Sequence, residues 1–351
     1  CYFLSYNIAG RRQFSDGSQV LMFLLSPEGK LEYKDYKVET ESIEQKLTNL
    51  FYMINQPASR ENYSEEEKIL KELYSILIEP FERSLPQEAN VVIFASDVFA
   101  VVPFYSLISK TNRLVVDQWT FSLCNSIVHF QSQQMSRVSD SLNGLLLESL
   151  ESNTDTTEDV KTVQNVFKEC SKHLTTISSC TKSQALEEIQ KGYTIIHIAA
   201  HTYGEGNDSD IHNQYSQGMS SYQSAFSIQL CDAHLRTNDL LALNPTSTEL
   251  IVMATCYPRQ GKITRSAIHS HARAFLMLAR SVVANVWPLF PKNTAPIFER
   301  MYIHMFSGEC DKALALRKAI SEYLLVQRKV PIRNREVVEY LGIRFWGGLM
   351  L

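Results

Sequence analysis

No apolar stretch in the 351 residues approaches the ~18 that a membrane-spanning helix needs. The N-terminal residues also lack the basic segment and apolar core of a secretory signal. Basic residues are in no excess: 34 Lys and Arg stand against 38 Asp and Glu, for a formal net charge of −4. They are scattered among the acidic ones, so neither nucleic acid nor an anionic membrane is expected as a partner. A disulfide framework is missing too. Seven cysteines, an odd number spread over a long chain, point to a reducing compartment, and a cytoplasmic or nuclear location is expected. There is no repeat of fixed period, no Gly-x-Ser-x-Gly elbow and no His-Glu-x-x-His, and Gln260-Gly261-Lys262 lacks the other glycine of a phosphate loop. No metal and no organic cofactor is expected. Cys170-x-x-His173 and Cys231-x-x-His234 have ligand-like spacing, but nothing in the sequence forces the two pairs together. His269 and His271 stand two apart at a helix start and so face different sides.

What is present is an ordinary globular composition, 44% hydrophobic and 21% charged, in a chain long enough for about two domains at ~150 residues each. Because it opens on Cys1 rather than Met, we expect a piece of a longer protein. Gln19–Leu25 and Leu31–Tyr36 flank Pro27-Glu28-Gly29-Lys30, a strand, turn, strand signal. Two helical patterns follow, on Ile43, Leu47, Leu50, Phe51 and Ile54 and on Ile69, Leu70, Leu73, Ile76 and Leu77. The run Glu65-Glu66-Glu67 after Ser64 suits the first turn of a helix. Val91–Phe94 is a buried strand, followed by Val102-Pro103-Phe104, and Trp119 and Trp346 are expected in cores. The serine-rich stretch from Gln131 to Asn143 marks a boundary. Beyond it, strands at Leu145–Leu147, around Ile177, at Thr194–Ala200, Phe226–Leu230, Leu250–Thr255 and Ser281–Val286 alternate with helical patterns at Val160–Phe167, Gln184–Gln190, Leu235–Leu243 and Ser266–Ala279. Two terminal helices complete the series. Strands separated by helices imply right-handed crossovers and an α/β fold with a parallel sheet covered on both faces.

Two of these strands end on reactive side chains. Thr194–Ala200 leads into His201, and Leu250–Thr255 leads into Cys256. In open α/β sheets ligands bind beyond the carboxyl ends of the strands, where an imidazole and a thiol would meet a substrate. A thiol near pKa ~8.5 is only a few per cent thiolate at neutral pH, and a neighbouring imidazole can take its proton. The thiolate attacks a carbonyl, and the tetrahedral oxyanion needs fixed donors. In this layout the backbone N–H groups of Cys256 and Thr202 are the candidates. The imidazolium then protonates the leaving amine and water hydrolyses the acyl-enzyme. No third member of the constellation is evident.

Several segments in order resemble the CHAT domain, the caspase-like module often found after tetratricopeptide repeats and related to caspases and separase. They are Val91–Phe94 with Val102–Leu107, Ile196–His201, Ser224–Phe226, Leu235–Leu243, Ile251–Cys256, Ala274–Leu276, Ser281–Trp287 and Phe345–Leu349. The resemblance implies a caspase-like α/β/α sandwich with a mostly parallel sheet, preceded by a degenerate α/β subdomain. Residues 1–135 would be the non-catalytic subdomain and 140–351 the catalytic one. It also implies a cysteine endopeptidase acting on proteins or peptides through Cys256 and His201, held in check by a partner or by tetratricopeptide repeats of the same chain. The substrate pocket would be built from Thr255, Asn285, Val286 and Trp287. None of these offers a charged side chain, which favours an apolar or small substrate residue.

At three places the chain departs from the family pattern. Thr202 replaces the glycine usual after the histidine, Tyr257-Pro258-Arg259-Gln260-Gly261 replaces an early glycine after the cysteine, and Pro288 follows Trp287 where an acidic residue is common. The alternative is therefore a caspase-like module that keeps the fold, has no activity and acts as a protein-interaction scaffold. Tyr203 to Tyr222, long, polar and holding Gly204, Gly206 and Gly218, is either a lid over the cleft or a solvated insertion. The apolar end Phe345 to Leu351 suits a closing strand.

Overall fold

A computed structural model of the protein describes residues 1–9, 19–37, 40–54, 60–95, 97–124, 130, 142–149, 156–205, 225–256, 272–285, 291–308, 310–329 and 349–350. The chain divides into two compact units, Cys1–Ser136 with Cys310–Leu351, and Arg137–Glu309.

In the first unit, β1 (Tyr2–Ala9), β2 (Gln19–Leu25), β3 (Leu31–Lys37), β4 (Asn90–Ala95) and β5 (Thr120–Cys124) form a sheet in the order β3-β2-β1-β4-β5. The β1-β2-β3 meander is antiparallel, and β4 and β5 continue it in parallel. The turn at 27–30 closes as its sequence predicts, with Gly29 at φ +83° and its N–H on the Ser26 carbonyl. Helices α1 (Thr40–Ile54) and α2 (Arg60–Leu77) bury Ile43, Leu47, Leu50, Ile69, Leu70, Leu73 and Leu77. Alternate residues Leu4, Tyr6, Val20, Met22 and Leu24 are buried on one face of the sheet. The Tyr6 hydroxyl ties that face to α2 by donating to the Leu77 carbonyl at 2.7 Å. Glu65–Glu67 fall in the second turn of α2 rather than its first, because the helix starts at Arg60. Glu66 is buried there, while Glu65 and Glu67 pair with Lys68 and Lys71.

The last long helix, α7 (Lys312–Lys329), belongs to this first unit, although the sequence partition grouped it with 140–351. The reason is a buried guanidinium. Arg317 Nε donates to the Val116 carbonyl at 2.9 Å and Nη2 to that of Asp117 at 3.3 Å, and Ser321 Oγ also reaches Val116. Trp119 is a core residue, stacked on Phe121 and donating to the Pro86 carbonyl. Leu349–Met350 is a two-residue strand; Trp346 lies outside the described residues.

The second unit is an α/β sheet with helices on both faces. Its parallel strands β6 (Asn143–Glu148), β7 (His173–Ile177), β8 (Ile195–Glu205), β11 (Leu250–Cys256) and β12 (Val282–Asn285) run in the order β7-β6-β8-β11-β12. Beyond its pairing with β6, β8 continues into an antiparallel arm with β9 (Ala225–Gln229) and β10 (His234–Arg236). The helix expected from Leu235 is thus shorter: His234–Arg236 pair with β9, and only Thr237–Leu241, α5, are helical. Of the helix expected from Ser266 to Ala279, residues 272–276 are described as helical and the rest up to 271 lies outside.

Strand alternation sorts the two faces. Leu145, Leu147, Ile196, Ile198, Ala200, Ile251 and Met253 join one cluster with Ala185 and Ile189 of α4 (Lys182–Ile189), Leu240 of α5 and Phe275. The opposite set, Gly144, Leu146, His197, Ala199, Val252 and Ala254, is sealed by α3 (Thr156–Glu169) and α6 (Pro291–Phe306), where Phe167, Tyr302 and Phe306 meet ring to ring. Helix α3 follows its sequence logic, with Val160, Val163 and Phe167 buried, acidic residues in its first turn and Lys168 in its last. Gly144 lets Phe167 approach the sheet: a Cβ there would lie 2.7 Å from its Cζ and 2.8 Å from Leu174 Cδ1. Gly144→Ala is therefore expected to destabilise the protein by about 1–3 kcal/mol, read as a lower urea midpoint; an unchanged midpoint would contradict this packing.

Candidate active site

The site is set by backbone register. β8 and β11 are neighbouring parallel strands, and the pairing runs from Leu250 opposite Ile195 to Cys256 opposite His201. The two positions singled out in the sequence are therefore level, on adjacent strands, at the carboxyl edge. Both continue the alternation that includes His197, Ala199, Val252 and Ala254, so they belong to the sheet face covered by α3 and α6. His201 is half-buried. Thr255 stands opposite Ala200, and Asn285 is buried at the end of β12. Val286 and Trp287 lie outside the described residues, as do 206–222 of the expected lid; Tyr203–Glu205 of that segment are strand.

The direction of the amides bears on the oxyanion donors. Leu250 N–H donates to the Thr194 carbonyl on the β8 side, and Ile251 N–H to the Ser281 carbonyl on the β12 side. Successive amides along a strand point to opposite neighbours, so those of Val252, Ala254 and Cys256 are aimed at β8, and that of Thr202, which is buried, at β11. As arranged, both amides lie in the plane of the ladder. For either to meet an oxyanion, the last pair of the ladder has to part.

Two features beneath the edge were not singled out in the sequence. The first is His197, four residues before His201 on the same strand face. Its Nδ1 lies 2.8 Å from the Tyr302 hydroxyl, its ring stands edge-on to Phe298, and its Nε2 is buried with no hydrogen-bond partner among the described residues. Burial pushes its pKa down to about 3, which keeps it neutral. Asp159, in the first turn of α3, is buried nearby; burial, and then the charge of Glu158, hold its carboxyl well above the usual range, and its charge adds to the burial that raises Tyr302. The second is Glu148, the last residue of β6. It is buried, and the Ser178 hydroxyl donates to its Oε2 at 2.7 Å. The signal for Glu148 was available: like His201 and Cys256, it is a polar residue closing an apolar strand.

The pairs with ligand-like spacing occupy opposite ends of β7. His173 opens that strand, whereas Cys231 donates its N–H to the carbonyl of Cys180, beyond the strand's far end. His234 Nδ1 lies 3.0 Å from the Ser227 hydroxyl. Among the described residues no three His, Cys, Asp or Glu side chains gather as a metal site. Burial pushes the Cys180 thiol up to about 11, so that cysteine is a poor nucleophile. His269 and His271 lie outside the described residues.

A parallel sheet with helices on both faces, and a histidine and a cysteine level at the carboxyl ends of adjacent strands, defines a caspase-like fold. The chain belongs to the CHAT-domain family, whose sequence model matches residues 67–351. Its structure is similar to separase in the Saccharomyces cerevisiae separase–securin complex, with a TM-score of 0.63 at 8% identity, covering 99% of this chain and 29% of that one. It also resembles the Arg-specific cysteine proteinase gingipain R, with a TM-score of 0.46 at 8% identity, covering 88% and 74% of the two chains. The chain spans under a third of the length of separase, and at 8% identity the likeness to separase shows the fold alone. Among curated proteins, none matches the chain in sequence.

The buried imidazole makes stability depend on pH. An unfolded His197 takes up a proton near its ordinary pKa of 6.5, whereas the folded one resists down to about 3. Its contribution is intact above pH 6.5 and is lost as pH falls, by up to ~1.4 kcal/mol per unit. Asp159 acts with the opposite sign but is common to wild type and variant. His197→Gln, less stable at pH 7, should therefore close the gap on wild type between pH 6.5 and 4 in urea unfolding; a gap constant with pH would count against a neutral buried His197.

Proposed function

We propose that this chain is a cysteine endopeptidase in which Cys256 is the nucleophile and His201 the general base. The observation that carries the reading is the β8–β11 register, which sets positions 201 and 256 level at the edge where open α/β sheets bind ligands. His201 accepts the thiol proton and the sulfur attacks the scissile carbonyl carbon. The oxyanion is received by the amides of Thr202 and Cys256 once the end of the ladder opens. Collapse of the tetrahedral intermediate breaks the C–N bond, and His201 delivers its proton to the departing amine. Water, deprotonated by the same imidazole, then hydrolyses the thioester. The substrate residue on the acyl side is apolar or small, received by Thr255, Asn285, Val286 and Trp287. We place the protein in the cytoplasm or nucleus, with tetratricopeptide repeats of the same full-length chain or a partner governing activity, and without nucleic acid, membrane, metal or cofactor.

One observation favours a second reading, a scaffold without activity. The ladder continues through the dyad, and Thr202, buried in a strand, stands where a glycine is usual in the family. The two readings separate in a single experiment. Full-length protein is treated with iodoacetamide and Cys256 labelling is followed by peptide mass spectrometry, alongside cleavage of a peptide library. For the enzyme, Cys256 reacts faster than the exposed Cys231, His201→Ala slows it by about 10²-fold or more, and Cys256→Ala abolishes cleavage. If Cys256 labels no faster than Cys231 and His201→Ala changes nothing, the scaffold reading stands.

A further inference from the structure

We propose that Glu148 is a positioning residue for His201, completing an acid, imidazole, thiol series across the three adjacent strands β6, β8 and β11. The proposal rests on the peptidase reading and goes beyond it, since a dyad requires no third group. Three observations carry it. First, Glu148 closes β6, the neighbour of β8 on the side away from β11, so position 201 lies between positions 148 and 256. Second, all three positions share one face. Leu145 and Leu147 enter the cluster with α4, whereas Gly144 and Leu146 alternate to the side of Phe167 and His197, and Glu148 continues that set. Third, Glu148 stands opposite Ala199, two residues short of His201. With strands ~4.8 Å apart and ~3.3 Å per residue, the Cα atoms of 148 and 201 are about 8 Å apart, within the combined reach of a glutamate and a histidine.

A carboxylate closing an apolar strand is costly to bury unless it is bonded. Ser178 bonds Oε2, and Oε1 is the oxygen assigned to the His201 ring. One ring nitrogen is then held by Glu148, which fixes the tautomer and turns the other nitrogen toward position 256. The other titratable groups on this face lie deeper: His197 and Tyr302 bond to each other, and Asp159 sits in the first turn of α3. None of them occupies the carboxyl edge of a strand next to β8.

The experiment uses the full-length protein and two readouts. Iodoacetamide labelling of Cys256 reports nucleophile activation, and the ring ¹⁵N shifts of His201, assigned with His201→Gln, report its tautomer independently of any thiol chemistry. Glu148→Gln keeps the shape and the bond to Ser178 but removes the charge. It is expected to slow Cys256 labelling about 10-fold or more, short of the about 10⁴-fold cost of replacing a serine-protease triad aspartate by asparagine, and to switch His201 to the opposite tautomer, because the amide NH2 then donates to the ring where the carboxylate accepted. Glu148→Asp should restore most of both, and Ser178→Ala should stay within about twofold of wild type, since an oxygen left without its serine still carries the charge. Glu148→Gln indistinguishable from wild type in both readouts overturns the assignment. So does a mixed His201 tautomer in the wild type, whatever the variant does. If Cys256 is unreactive in the wild type but the tautomer still depends on Glu148, the peptidase reading fails and the positioning role survives.

Discussion

The parallel ladder between β8 and β11 governs the whole carboxyl edge, because a strand pair allows its residues only discrete placements. A slip by one residue would move every side chain of β8 to the opposite face, carrying His201 away from position 256 and His197 out of its aromatic pocket. That slip is resisted on both sides of the sheet. Ile196, Ile198 and Ala200 fill the cluster with α4 and α5, and His197 is bonded to Tyr302 on the other face. Neither set of side chains can be satisfied by the other face, so the register of the carboxyl edge is enforced from the core beneath it.

The face below the edge is unusual for a packed sheet. Gly144, Ala199 and Ala254 leave room for the rings of Phe167, Phe298 and Tyr302, and a polar trio of His197, Tyr302 and Asp159 sits among them. Two buried atoms of that trio, His197 Nε2 and Asp159 Oδ1, have no hydrogen-bond partner among the described residues. Such groups cost stability. What they contribute in return is uniqueness of fit, since Tyr302 must lie at one height along β8 to meet His197.

Much of this was legible from residue order. Val160, Val163 and Phe167 announced α3, and the β-branched runs ending at His201 and Cys256 announced buried parallel strands; the helix expected from Gln184 starts two residues earlier, at Lys182, behind a Thr181–Gln184 capping box. The helix expected from Leu235 was shortened because the hairpin turn at 231–233, closed by Leu230 N–H on Ala233 O, pulls His234–Arg236 into a strand. Local propensity could not see that partner. Glu148 bore the same local mark as His201 and Cys256, a polar residue closing an apolar strand, but its place beside β8 depends on a sheet order no local pattern encodes. Arg317 is the sharpest case, since its partners lie some two hundred residues earlier in the chain.

That last contact has a consequence for biogenesis. The first unit is discontinuous, with its sheet and turn 115–117 made early and α7 made only after all of Arg137–Glu309. On the ribosome, the carbonyls of Val116 and Asp117 emerge long before the guanidinium that will cap them, and the second unit, continuous in sequence, can close on itself in the meantime. Domains generally fold as units in the order of their synthesis, yet here the segment that begins first is sealed last. The carboxyl edge of β8 and β11 can thus form before the first unit is complete.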